Sequence, residues 1–171
     1  MSPKKPTQRP DLRTWPEDLQ SELSALSWPE EGEGDSVVPA LYTLLRGMEV
    51  EAKDAQEFVQ ILLEFCEENP SEEFGNPGPI VRAIERISGS EALALASLAS
   101  KPSLVALRLC FRSLGELGCE DVVPLITRLT KSPIPILRDE AASFLSELEP
   151  AGFEVDDLDL EELADDIGSD T

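Results

Sequence analysis

Two stretches decide how this chain folds: Pro102-Ser103-Leu104-Val105 running on to Leu114-Gly115-Glu116-Leu117, and Pro133-Ile134-Pro135-Ile136 running on to Leu145-Ser146-Glu147-Leu148. Offset by about thirty-one residues, they bring into step the opening prolines, Val105 with Ile136, Leu114 with Leu145, Glu116 with Glu147, and Leu117 with Leu148. A period in this range marks a supersecondary unit that cannot bury its apolar face alone and so stacks on copies of itself. Ile84 and Ile87 echo Leu114 and Leu117, as a degenerate earlier copy would. The expected fold is all-α, a HEAT-like helical-repeat stack (α-solenoid) in a single domain. Residues 14–148 form that domain, 1–13 a disordered proline- and charge-rich N-terminus, and 149–171 an acidic C-terminal tail. Helix stacks of this kind mostly present binding surfaces, which places an interaction module ahead of an enzyme.

Working outward, Thr14-Trp15-Pro16-Glu17 has the form of a helix start, with Thr14 as N-cap and Glu17 at the capping-box position. Trp15, Leu19, Leu23 and Leu26 continue one stripe, and Trp28-Pro29 ends it before an acidic link, Glu30 to Asp35. The two tryptophans are expected to anchor this helix on the bundle rather than to meet a partner. Ser36 reads as the cap of a second helix with Leu41, Leu44, Leu45 and Met48 inward. Asp54 and Glu57 suggest another capping box, ahead of Phe58, Ile61, Leu62 and Phe65. Gly75-Asn76-Pro77-Gly78-Pro79 is a rigid turn. Past it, Leu107, Cys110, Phe111, Leu114 and Leu117 are expected to face inward, with Gly118 as a stop and Asp121 capping the next helix. Phe111 and Phe144 should meet in the core. Helices are expected near 37–48, 54–68, 91–100, 104–117, 121–131 and 136–148, and no segment of useful length alternates with period two.

The 171 residues carry 14 Lys+Arg against 35 Asp+Glu, a formal charge of −21. That charge repels phosphate backbones and anionic lipid, which argues against nucleic-acid and membrane binding, and it attracts a basic protein. Acidity for solubility alone is the bland alternative. The acid is localised, however: between Arg82 and Arg138 the bases outnumber the acids, whereas Glu30–Asp35, Glu49–Glu73 and Glu147–Asp170 hold the excess. Cys66, Cys110 and Cys119 form no C-x-x-C pair, and no secretory signal or membrane-length apolar run is present. A cytoplasmic protein is expected, monomeric rather than oligomeric.

The chain contains no histidine, which removes His-based triads and most transition-metal sites. No phosphate-binding glycine motif occurs. Asp156, Asp157, Asp159 and Glu161 lack the glycine that a calcium loop needs at its sixth position, where Glu162 stands. Neither a cofactor nor a metal is expected, nor catalysis. Arg108, Arg112 and Glu116 share helical spacing, for which intrahelical ion pairing is the plain reading. For residues 154–166 an acidic helix, with Leu160, Leu163, Ala164 and Ile167 on its apolar side, and a solvated acidic end both stay open.

The stretch Phe74-Gly75-Asn76-Pro77-Gly78-Pro79-Ile80-Val81-Arg82-Ala83-Ile84-Glu85 resembles a group of small acidic bacterial immunity proteins. Their genes stand beside polymorphic or contact-dependent toxins, and their turn of the type G-[SN]-P-G-P-[LI]-V begins a helix ending in Glu. A short helix, a Lys-Pro turn and a long helix follow in that group; Leu93–Ser100, Lys101-Pro102-Ser103 and Leu104–Leu117 match them here. Asp139-Glu140-Ala141-Ala142-Ser143-Phe144-Leu145 fits the closing helix. The likeness covers about residues 54 to 148. It departs at Arg82, where the group has His, and over Leu109–Ser113, where the group carries aromatic and Asn residues. The resemblance implies an immunity or antitoxin protein that binds a cognate toxin and occludes its active site; the clustered carboxylates, rather than the resemblance, point to a basic active site such as a nuclease has. The alternative is a non-catalytic scaffold or adaptor for cellular protein–protein interaction. The residues expected to meet a basic partner are Glu57, Glu64, Glu67, Glu68, Glu72 and Glu73. A second contribution is expected from Asp156, Asp157, Asp159, Glu161, Glu162, Asp165 and Asp166 of the tail.

Overall fold

The computed structural model describes residues 15–26, 37–46, 48–75 and 77–149. Among them every regular element is helical: α1 (Trp15–Ser24), α2 (Val37–Leu45), α3 (Ala55–Glu68), α4 (Pro79–Glu85), α5 (Ser90–Ser100), α6 (Leu104–Arg112), α7 (Leu114–Leu117), α8 (Cys119–Leu129) and α9 (Pro135–Leu148). None is long and apolar enough to cross a membrane. The N-terminal region 1–13, the caps expected at Thr14 and Ser36, the link Glu30–Asp35, Trp28, the side chain of Trp15 and the tail from residue 150 lie outside the described residues.

Helix α6 is the centre. Its residues from Leu104 to Cys110 are all buried, and it packs on α3, α4, α5, α8 and α9. A stripe with one wet face was expected; the helix instead is covered all round, because neighbours close over both sides. Ser103 starts it with a side-chain cap, its Oγ accepting from the Ala106 N–H at 3.1 Å. The helix stops at Ser113 instead of running on to Leu117, and α7 follows as a separate turn containing Gly115. Ser and Gly together favour such a break.

Two expected caps are absent. Asp54 has helical φ/ψ and makes no side-chain cap bond, so the Asp54/Glu57 box does not form. Helix α8 starts at Cys119, two residues before Asp121, since Gly118 adopts φ +86 and sets the start earlier. Asp121 then lies in the first turn, where its charge still favours the helix dipole.

The glycine-proline turn is as rigid as its composition requires. Gly75 has φ +90, and a Cβ on Gly78 would lie 1.6 Å from the Phe74 carbonyl oxygen. The turn buries Phe74 beside Phe65, their ring centroids 5.2 Å apart. Phe111 and Phe144 do meet, stacked with centroids 3.9 Å apart and planes 4° apart, yet each is only half-buried. Leu107, one turn earlier, is wholly buried. Leu107→Ala is therefore expected to cost about 3–5 kcal/mol and Phe111→Ala about 2–3 kcal/mol, because the ring starts partly wet. Urea unfolding of the two variants checks the order.

Candidate functional site

The acids of α3 and the loop after it divide into two groups. Glu67 is half-buried and accepts a hydrogen bond from the Ser97 hydroxyl of α5 at 2.8 Å. Glu73 accepts from Arg108 Nη2, also at 2.8 Å, and Arg108 Nε donates to Glu140 Oε1 of α9 at 2.8 Å. Glu67, expected on the open surface, is half-buried, whereas Glu73, expected in the binding patch, is exposed and also pairs with Arg108. Glu57, Glu64, Glu68 and Glu72 are exposed, and among the described residues no ion pair or side-chain hydrogen bond engages them. With exposed Gln60 they form one stripe, about 16 Å long from Glu57 to Glu68 at the helical rise.

The stripe forms because the opposite side of α3 is fully used. Phe58, Val59, Leu62, Leu63, Phe65 and Cys66 are buried, a wider face than the expected four-residue stripe. Like charges at Glu64 and Glu68, one turn apart, repel by a few tenths of a kcal/mol. Glu68 also ends a helix with no base in its last turn, where the dipole disfavours an acid. Glu57, in the first turn, is favoured by the dipole, whereas folding gives Glu64 and Glu68 no such support.

Arg108 and Arg112 were expected to pair along the helix with Glu116. The break at Ser113 removes the i+4 relation between Arg112 and Glu116, and Arg112 reaches instead to both oxygens of Glu85 on α4. The bonds to Glu85 raise the Arg112 pKa above its ordinary value. Burial opposes the charge on Arg108, but the hydrogen bonds and charges of Glu140 and Glu73 outweigh it, and its pKa too is raised. Arg108 is a structural cation. Arg108→Ala is expected to cost about 3 kcal/mol, since it strands a half-buried Glu140. Glu73→Gln should change stability by less than about 1 kcal/mol, since Glu73 is more than half exposed. Chemical denaturation of both variants checks this contrast.

No group of His, Cys, Asp or Glu among the described residues could hold a metal ion. Asp156, Asp157, Asp159, Glu161, Glu162, Asp165 and Asp166 lie outside the described residues. Two clefts remain. One, about 240 Å³, lies between α4, α5 and α6 and includes the Arg112–Glu85 pair. The other, about 360 Å³, lies between α2 and α4 and carries Arg46, Arg82 and Arg86. Sequence reading missed this basic cleft. Arg82 and Arg86 stand one turn apart, and the acid between them, Glu85, is taken up by Arg112. Their meeting with Arg46 required the packing of α2 on α4.

Cys66 and Cys110 are free and buried, and Cys119 is free and half-buried. Burial, with the Glu67 charge beside it, pushes the Cys66 thiol far up, and burial pushes Cys110 up to about 12. Below the ordinary thiol value of 9.0 both folded and unfolded chains hold these protons. Above it the unfolded chain releases them and the folded chain does not. Stability therefore falls as pH rises from 9 towards 12, by about 1.4 kcal/mol per pH unit for each thiol. Cys110→Ala should flatten that alkaline limb, as urea midpoints above about pH 9 will show.

Comparison with protein-family models, curated proteins and solved structures finds no match to this chain.

Proposed function

We propose that this protein is a non-catalytic binding module, a HEAT-like helical-repeat stack that takes a basic protein on the acidic stripe of α3. The partner proposed is a cognate bacterial toxin with a basic active site such as a nuclease, which makes the protein an immunity or antitoxin protein. The observation that carries the binding reading is the division of acids around α3. Glu67, Glu73, Glu85 and Glu140 have partners within the fold, whereas Glu57, Glu64, Glu68 and Glu72 have none among the described residues. A stripe of like charge held against self-repulsion, and at Glu68 against the helix dipole, has a use in steering a cation-rich surface into contact.

The stack reading is supported by how elements are joined. Side-chain hydrogen bonds between different elements link residues 27, 29, 30, 32 and 35 apart in sequence. Units of about thirty-one residues lying side by side give such separations. The acids Asp156, Asp157, Asp159, Glu161, Glu162, Asp165 and Asp166 are proposed as the second contributor to the same partner. The toxin assignment rests on the resemblance of Phe74–Glu85 to the immunity proteins, and the gene next to this one tests it most cheaply. An upstream toxin gene favours immunity. Its absence favours the adaptor reading, which the basic α2–α4 cleft also supports by offering a second surface of opposite sign.

Affinity capture from the native host with mass spectrometry identifies the partner. With that partner, Glu57→Lys, Glu64→Lys and Glu68→Lys together should slow association about ten-fold or more at low salt, with the effect shrinking as salt rises. Glu67 is left in place because its bond to Ser97 would confound the result. Helical content by circular dichroism should hold. An unchanged on-rate and salt slope would mean that the stripe only solvates the fold.

A further inference from the structure

The C-terminal ends of α2 and α4 meet in the open basic cleft. Leu45, Pro79 and Ala83, all buried, make an apolar floor. Arg46, Arg82 and Arg86 are exposed on its rim beside Tyr42, the large apolar side chain that the described fold leaves outside. Among the described residues these three arginines have no carboxylate partner, whereas Arg108, Arg112, Arg128 and Arg138 each have an engaged guanidinium. A helix dipole accounts for one cation at each helix end. It does not account for two ends converging with three like charges around an apolar floor.

We propose that this cleft is the docking site of the chain's own acidic C-terminal segment, residues 154–170. Four observations favour that occupant. The segment carries acids from Glu154 to Asp170 and no base, so its charge opposes that of the rim. Leu158, Leu160, Leu163 and Ile167 are interleaved with those acids and suit the apolar floor and Tyr42. The whole chain carries −21, so a separate anionic molecule approaches against its field, whereas a tethered segment arrives at about millimolar effective concentration. The reach is also sufficient. Helix α9, which ends next to Glu149, packs on α6, and α6 packs on α4. Two interhelix spacings come to about 20 Å, and even six or seven extended residues span that distance. This inference concerns the free protein: a basic partner that takes the same tail acids would compete with the cleft for them, so the test is made with no partner present.

The test uses the full chain, ¹⁵N-labelled, with a nitroxide on Ser169→Cys in a Cys119→Ser background. Cys66 and Cys110 stay unlabelled because they are buried and hold their protons. The expected result is loss of amide signal concentrated at residues 42–46 and 79–86, abolished by Arg46→Gln, Arg82→Gln and Arg86→Gln together and by high salt. The three arginines are exposed, so an otherwise unchanged spectrum of the variant is expected and verifies its fold. Broadening spread evenly over the surface, or left intact by the triple substitution, overturns the proposal. Broadening of a labelled chain by an added spin-labelled copy also overturns it, since the occupant would then be a second molecule's tail.

Discussion

A charged side chain lies in a stretch of helix buried on every side, and much of the molecule is arranged around that fact. Seven consecutive residues of α6 are buried, and Arg108 is one of them. Removing a guanidinium from water costs several kcal/mol unless carboxylates and hydrogen bonds replace the water. Glu73 and Glu140 do so from opposite flanks, one from the glycine-proline turn and one from the last helix. The turn that follows Glu73 must therefore hold a tight path, one that leaves no room for a side chain at Gly78, and α9 must lie against α6. Nη1 of Arg108 has no partner, a local cost of about 1–3 kcal/mol that apolar burial around α6 offsets.

The same fold sorts charge on its surface. Acids that face a neighbouring element acquire partners at separations near one repeat, as Glu67 does with Ser97 and Glu85 with Arg112. Acids on the outer side of α3 meet no partner among the described residues, because that helix directs its whole apolar width to α1, α4, α5 and α6. Basic residues follow the same rule in reverse, and those at the ends of α2 and α4 are left facing a cleft. Among the described residues, a strongly acidic chain thus carries two surfaces of opposite sign whose charges are not paired with one another.

Element positions were legible because period-3.6 apolar spacing and proline punctuation act locally. The expected helices at 37–48, 54–68, 91–100, 104–117, 121–131 and 136–148 correspond to α2, α3, α5, α6 with α7, α8 and α9. The misreadings share one origin. Asp54 and Asp121 were assigned as caps and Glu116 as an ion-pair partner from local spacing, whereas the backbone at Asp54, Gly118 and Ser113 decided otherwise. At Asp54 the backbone took a conformation that does not cap. At Gly118 a left-handed residue started the helix early. At Ser113 a break cancelled an i+4 relation.

From sequence alone came the helical class, the repeat offset, the rigid turn and the localisation of acid, since each depends on backbone preference or on the order of residue types along the chain. Tertiary structure alone decided which charges are paired. Ion pairing depends on distances between residues some thirty positions apart, and periodicity does not encode those distances until the helices pack. That is why Arg108 became a buried cation, why the α3 stripe narrowed to Glu57, Glu64, Glu68 and Glu72, and why Arg46 came to share a cleft with Arg82 and Arg86.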